Sequence, residues 1–182
     1  MIWEIVKIWR RLKRREDGNS TIQFVILFPA LLTLFFATFE VSMIKIRQVS
    51  LERAVDITVR DLRLGKLSDV EPADLQNELR TRICGNSSIL PDCMTSLLIE
   101  LRPVSTTTWE PLGSDVTCKE RSEPIDPVVE LELGAAHELM LVRVCAVIEP
   151  MFPTTQLGIQ LHIAELGGYA IVASSAFVNE PS

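Results

Sequence analysis

GNSTIQFVILFPALLTLFFATFEVSMI, residues 18–44, is the stretch that decides the fold of this chain. Between Asn19 and Ile44 it carries one charged residue, Glu40. A bilayer core of about 30 Å needs about 20 apolar residues in a helix. A core helix of a soluble domain would show a polar face, and no side of this helix is polar. The stretch therefore predicts a transmembrane helix over 19–44, kinked rather than broken at Pro29.

The residues before this helix set its direction in the membrane. Residues 1–17 hold six Lys or Arg side chains and three Asp or Glu side chains, a net charge of +3. Basic flanks stay in the cytoplasm. We therefore expect residues 1–18 to be a cytoplasmic leader and residues 45–182 to lie in the periplasm.

The helix is expected to continue beyond the membrane as an amphipathic half over residues 45–65. Apolar residues recur every three or four positions along one stripe, which only Gln48 interrupts. Gly65 is a suitable C-terminal stop. We expect the stripe to pack mainly on the chain's own globular domain, although contact with neighbouring subunits is compatible with it. Its apolar members are Val41, Ile44, Leu51, Val55, Val59 and Leu62.

Residues 66–182 are long enough for one small domain. A second helix is predicted from Pro72 to Ile83, because proline suits the first helical turn. The strong alternation of VVELELG, residues 128–134, predicts a strand with one wet face. Further strands are predicted over 96–104, 139–148, 159–164 and 169–178, with 139–148 at the centre. The fold class is thus α+β, a long N-terminal helix packed on a small antiparallel sheet.

All four cysteines lie on the predicted periplasmic side, where thiols are oxidised to disulfides. Three connectivities are possible for four cysteines, and we favour Cys84–Cys93 with Cys118–Cys145. The first pair would close a short loop between a helix end and the next strand. A metal site is the competing interpretation, but the chain has no C-x-x-C motif and its histidines are distant in sequence. No metal or cofactor is predicted.

Charge and motifs argue against two other classes of protein. The net charge of the chain is −6, which leaves −9 on residues 18–182 and argues against nucleic-acid binding. The sequence contains neither a G-x-S-x-G nor an H-E-x-x-H motif, so no enzyme is predicted. Of the two histidines, His137 is expected in a polar turn and His162 on the face of a strand.

A glycine stands directly between the charged leader and the apolar helix. A secretory signal would instead end in small residues after its apolar region. Arg14-Arg15-Glu16-Asp17-Gly18 resembles a prepilin leader, which implies cleavage between Gly18 and Asn19 by a membrane peptidase. That pattern has glutamate at the fifth mature position and phenylalanine at the sixth. This chain has Gln23 and Phe24 there, so the second position fits and the first does not.

The resemblance extends through FPALLTLFFATFEVSMIKIRQVSLERAVDITVRDLRLG, residues 28–65. Pro29 early in the helix and Glu40 near its end are similar to features of TadE-like proteins, minor pilins of the tight-adherence (Flp/Tad) pilus. The loop MFPTTQL and the following Gly158 also resemble that family through their Pro-x-x-x-x-Gly pattern.

This resemblance implies a pilin-like fold and a single-pass protein of the bacterial inner membrane. It implies work in assembly of a Tad/Flp pilus used for adherence, with a location in the pilus itself as one outcome. The implied partners are other Tad pilins, the pilus assembly platform and the prepilin peptidase. An alternative is an unprocessed, signal-anchored periplasmic binding or adhesion domain.

Two polar residues of the helix carry further hypotheses. The resemblance implies that a fifth-position glutamate pairs with the N-terminal amine of the adjacent subunit. Gln23 can accept a hydrogen bond from that amine but cannot neutralise it. The chain is then either a tip or initiator subunit, or an accessory pilin that tolerates glutamine. For Glu40 we favour solvation at the membrane interface over pairing with a neighbouring subunit.

Overall fold

The structure is a computed structural model. It describes residues 17–67, 69–107, 116–123, 125–163 and 165–180, with side chains from residue 20 onward. The predicted leader lies outside these residues except for its last two positions. The described chain divides by its internal contacts into two units, Met1–Phe39 and Glu40–Ser182.

One helix contributes to both units. Helix α1 runs from Asp17–Arg63 and continues through Pro29 without a break. Among the described residues it is the one helix that is long and apolar enough to cross a membrane. In the first unit most of its large apolar side chains are exposed between Ile22 and Phe39, and Phe36 is half-buried. An apolar surface of this length suits lipid rather than water.

In the second unit α1 buries the stripe that the sequence predicted. Leu51, Val55, Val59 and Leu62 are buried in the core, and Val41 at the start of the stripe is exposed. Thr58 also faces the core, and its hydroxyl donates to the Ala54 carbonyl at 2.9 Å, which satisfies the buried oxygen. The amphipathic half therefore packs on its own domain, as the spacing indicates.

In its described residues the domain adds three helices and one sheet. Helix α2 spans Pro72–Asn86, α3 spans Cys93–Ser96 and α4 spans Gln156–Leu161. Strands β1 (Leu97–Pro103), β2 (Leu139–Ile148) and β3 (Tyr169–Val178) form an antiparallel sheet in the order β1-β2-β3. Val144 pairs with Ile99 on one side and Ala173 on the other, and all three are buried on the core face. The α+β prediction is confirmed, with β2 at the centre of the sheet.

Two predicted strands are wrong. Residues 128–134 make only an isolated parallel bridge between Leu101 and Leu131. The alternation itself is present, since Leu131 and Leu133 pack against the core while Val128 is fully exposed, but the segment does not form the continuous ladder of a strand. Residues 159–164 lie partly in α4, and His162 ends that helix instead of lying on a strand. Thr155 starts the helix, since its side chain accepts a hydrogen bond from the Gly158 N–H at 3.1 Å. His137 lies in an exposed turn with positive φ, as expected for a polar turn.

Both disulfides have the favoured pairing. Cys84 is bonded to Cys93 and Cys118 to Cys145, with Cα–Cα distances of 5.7 and 5.4 Å. The first bond joins the end of α2 to the start of α3. The second joins Cys118, in the segment of residues 118–127 that we call the linker, to Cys145 of β2, which is completely buried.

Candidate functional site: the Glu40 junction

Glu40, the residue that follows the apolar run, is completely buried in the second unit. Its Oε1 accepts a hydrogen bond from the Met151 N–H at 3.0 Å, and its Oε2 accepts one from the Phe152 N–H at 2.9 Å. A buried carboxylate is tolerated when hydrogen bonds replace its water, and charged acceptors form the stronger bonds. The expectation that Glu40 is solvated at the membrane interface is therefore wrong. We call these contacts the Glu40 junction.

The segment that supplies the two N–H donors is shaped by its own contacts. The hydroxyl of Thr155 donates to the Phe152 carbonyl at 2.8 Å, and the Thr155 N–H donates to the same oxygen at 3.1 Å. Gly158 in α4 passes so close that an added Cβ would lie 2.1 Å from the Phe152 oxygen. Glycine is required at such an approach. These contacts fold the chain back at residues 152–158 and fix the two donors that face Glu40.

Two turns further along α1, Arg47 makes a second buried polar contact. Its Nη1 donates to the Tyr169 hydroxyl at 2.7 Å and to the Glu149 carbonyl at 3.5 Å. Arg47 is 6% exposed and Tyr169 is 5% exposed. Burial raises the pKa of the Tyr169 phenol, the Arg47 guanidinium opposes this, and the Glu40 charge adds to it. The phenol is therefore held neutral beside a guanidinium and a carboxylate.

Gln48, which interrupts the apolar stripe, is also a structural contact. Its Nε2 donates to the Val172 carbonyl of β3 at 2.9 Å and to the Glu52 carboxylate at 2.7 Å. Side chains at positions 40, 47 and 48 thus bind the loop before α4 and the first residues of β3. Hydrogen bonds need defined distances and angles, so these three residues fix the register of α1 against the domain more strictly than apolar packing would.

The contacts of this junction attach α1 to the loop before α4 and to β3. It has a carboxylate, a guanidinium and a phenol but no nucleophile paired with a base. Most of its polar atoms are hydrogen-bonded, but the buried Arg47 Nε has no partner among the described residues. Among the described residues no group of three or more His, Cys, Asp or Glu side chains could hold a metal ion. That the chain is not an enzyme stays a prediction.

A second polar cluster holds the linker that carries Cys118. Asp126 accepts from Arg80 at 2.6 Å and from Lys119 at 2.7 Å. Arg80 also donates to the Leu97 carbonyl at 2.8 Å, which ties α2 to β1. Burial alone would raise the pKa of Asp126, but the bonds from Lys119 and Arg80 outweigh it and the pKa lies below its ordinary value. The linker is therefore held by the two salt bridges of Asp126 as well as by the disulfide of Cys118.

The residues of the predicted pilin motif lie apart from the junction, except for Glu40. Gly18 and Asn19 lie in the first turns of α1, and their side chains lie outside the described part. Gln23 is exposed, and Phe24 stacks on Phe28 with ring centroids 4.8 Å apart. The processing role of Gly18 and the motif roles of Gln23, Phe24 and Pro29 stay predictions.

Sequence reasoning missed the partners of Glu40 and the roles of Arg47 and Tyr169. Their separations along the chain exceed one hundred residues, so no local pattern joins them. The usable signal was the Pro-x-x-x-x-Gly pattern that starts at Pro153. It marks the tight fold of the donor segment without showing what the segment binds.

Comparison with known families gives a match to part of the chain. Residues 18–60 match the model of a family described as TadE-like protein. The resemblance stated from the sequence is therefore confirmed for these residues, which include Glu40, Arg47 and Gln48. Comparison with curated proteins and with solved structures gave no match.

Proposed function

We propose, on the premise of the TadE-like segment at residues 18–60, that this chain is a minor pilin or pseudopilin in assembly of a Tad/Flp-type adherence pilus. The observation that supports the proposal is the position of the family match, which lies within helix α1. It covers one continuous helix that exposes apolar side chains in its first half and buries a polar junction in its second. A helix with one half exposed for the membrane and the other half packed in the folded domain suits a subunit that packs against its neighbours through this helix.

Maturation is the first step of the proposal. A prepilin peptidase cuts after Gly18 on the cytoplasmic face, and Asn19 becomes the new N-terminus. The chain then sits in the inner membrane with its C-terminal domain in the periplasm. Two disulfides suit that oxidising compartment.

The Glu40 junction supplies the mechanical part. When a pilin leaves the bilayer for a filament, the pull on its helix reaches the domain at the first residues beyond the apolar run. There the carboxylate of Glu40 holds the Met151 and Phe152 amides, and Arg47 holds Tyr169. The junction transmits the pull without letting the helix slide against the loop.

Gln23 bears on the position in the filament. A charge in the bilayer core is expensive unless paired, and an amide cannot neutralise the amine of an adjacent subunit. One hypothesis on this ground is a position at the tip or in the initiating complex. An accessory pilin with no fixed position is the competing case. Gln23→Glu separates them, since only a tip or initiator subunit should change filament number or composition when it gains the charge.

Pilus number tests the function itself. Cells that lack the chain should form few or no Tad pili, and wild-type chain should restore them. A variant with Gly18→Leu, which blocks cleavage, should fail to restore them while its domain still folds with both disulfides. Normal pili in cells that lack the chain would instead support an anchored periplasmic binding or adhesion domain.

A further inference from the structure

The part of α1 that belongs to the second unit has apolar side chains on two opposite sides. One side is the stripe that packs in the core of the domain. Ile57 lies two residues from both Val55 and Val59 of that stripe, and two residues turn an α-helix by about 200°, so Ile57 lies on the far side. Its side chain is 39% exposed. A helix that packs only on its own domain carries polar side chains on that side.

The far side holds a second stripe, which we call the outer stripe. Its members recur every three or four positions over about five turns, so they form one continuous surface of the helix. Four of them are apolar with exposed fractions between 39% and 61%, and two are arginines. Leu64 follows the last helical residue and keeps the helical position, because its N–H still donates to the Arg60 carbonyl at 3.2 Å. The outer stripe consists of Ile46, Val49, Arg53, Ile57, Arg60 and Leu64.

The charges of the outer stripe are both positive. Arg53 and Arg60 are exposed, and neither has a hydrogen bond or an ion pair with another described residue. They lie seven residues apart, which is two turns or about 10.5 Å along the helix. The carboxylates of the same part of α1 lie beside the stripe instead of in it, at Glu52, Asp56 and Asp61. The stripe therefore presents two unpaired guanidinium groups among apolar side chains.

This pattern distinguishes among the surfaces that could cover the stripe. The outer stripe of a second copy supplies no carboxylate, and a parallel pair of copies would set like charges against each other. Helices that lie on a membrane surface keep their cations on the polar face. Here the arginines lie in the middle of the apolar stripe and carboxylates lie at its edges, where lipid phosphates would repel them. A helix of another chain remains, provided that it supplies the carboxylates that covered arginines need.

We propose that the outer stripe binds an acidic amphipathic helix of a different protein chain. Apolar side chains of that helix pack on those of the stripe, as in other complexes between a helix and an apolar surface. Two of its carboxylates, about two turns apart, pair with Arg53 and Arg60. Arginine suits this role because its planar guanidinium binds a carboxylate through two parallel hydrogen bonds. The interface rests on the exposed side of α1 and does not depend on the pilin function.

The test is photocrosslinking of the full-length chain in the cells that make it. A benzophenone amino acid takes the place of Ile57 in the outer stripe or, as the matched control, of Ile89 in the loop after α2. Ile89 is 41% exposed, close to the 39% of Ile57. The crosslinked products are identified by their mass, and the attachment site in the partner is located by peptide sequencing.

Charge variants separate ion pairing from simple contact. We expect Arg53→Glu combined with Arg60→Glu to lower the yield of the product at position 57 at least about tenfold, since like charges at an interface oppose binding. Arg53→Lys combined with Arg60→Lys keeps the charges and should retain more of the product than the glutamate pair. Formation of both disulfides verifies that each variant folds. Arginines in place of the carboxylates of the partner should restore the product with the glutamate pair.

The expected attachment site is a segment of another chain with helical apolar spacing and with Asp or Glu within one turn. A product with a second copy, with lipid or with a segment without carboxylates would overturn the proposal. So would a yield at position 57 no higher than at position 89, or one that the glutamate pair leaves unchanged.

Pilus number in the same cells is a separate measurement. If pili depend on the chain but position 57 gives no product, the interface is wrong and the pilin function stands. If position 57 gives the expected product in cells whose pili do not need the chain, the interface stands without the pilin function.

Discussion

Replacement of Glu40 by alanine should loosen the loop that binds it. The carboxylate is completely buried and accepts two backbone N–H bonds at 2.9 and 3.0 Å. Hydrogen bonds to a charged group contribute about 1.5–3 kcal/mol each, and an orphaned buried donor costs about 1–3 kcal/mol. Water that enters the space left by the side chain will accept hydrogen bonds from the two amides and so recover part of this free energy. We expect a net loss of about 3 kcal/mol in the local free energy of opening.

The assay is hydrogen exchange at the Met151 and Phe152 amides of the full-length chain in lipid nanodiscs. Since about 1.4 kcal/mol corresponds to a tenfold change, a loss of about 3 kcal/mol speeds exchange by roughly 100-fold. The exchange rate in Glu40→Gln should lie between those of the wild type and Glu40→Ala, because one amide oxygen replaces two carboxylate oxygens. Amides in the centre of β2 should change less.

Glu52→Ala is the matched control on the same helix. Glu52 is exposed and binds only the Gln48 side chain among the contacts of the described residues, at 2.7 Å. Exposed polar contacts of this kind are worth well under about 1 kcal/mol. Exchange at Met151 that is equally fast in wild type and Glu40→Ala would refute the junction as a mechanical connection.

Three further substitutions probe the contacts around the junction and the linker. Tyr169→Phe removes the 2.7 Å bond from buried Arg47, and denaturant unfolding should show a loss of about 1–3 kcal/mol. Gly158→Ala drives a Cβ to within 2.1 Å of the Phe152 oxygen, so proteolysis near residue 152 should speed up. The pKa of Asp126 is lowered in the folded chain, so its stabilising effect is complete above about pH 3.8 and is lost as the pH falls through the folded-state pKa. Asp126→Asn should therefore make the free energy of unfolding less dependent on pH in that acid range.

Two of these substitutions have a control in the same chain. Gly85 in α2 has open space around it, so Gly85→Ala should leave proteolysis near residue 152 unchanged. Glu123→Gln, at an exposed position of the same linker, should keep the acid dependence of the wild type. Unchanged stability in Tyr169→Phe would show that Arg47 finds another acceptor.

The parts of the fold that were predictable are those with local patterns. Leu51, Val55, Val59 and Leu62 recur at helical spacing, so their burial could be foreseen. The apolar run of α1 is long enough to predict a transmembrane helix rather than a buried core helix. The apolar run at 139–148 likewise predicted the central strand. The cysteine pairing was favoured because Cys84 and Cys93 close a short loop.

The parts that failed depend on contacts that the local sequence does not show. The alternation in residues 159–163 looks like a strand, but the Thr155 cap starts a helix instead. Glu40 looks like an interfacial carboxylate because its partners, two backbone amides, leave no side-chain signature and lie more than one hundred residues away. Tertiary contacts thus decided both the secondary structure of α4 and the role of Glu40, the single charged residue between Asn19 and Ile44.

The most direct test of the pilin function is the mass and N-terminal residue of the chain purified from membranes of cells with and without the prepilin peptidase. We expect a chain that begins at Asn19 when the peptidase is present and at Met1 when it is absent. A chain that keeps Met1 in both strains would contradict the proposed function and leave a membrane-anchored periplasmic domain.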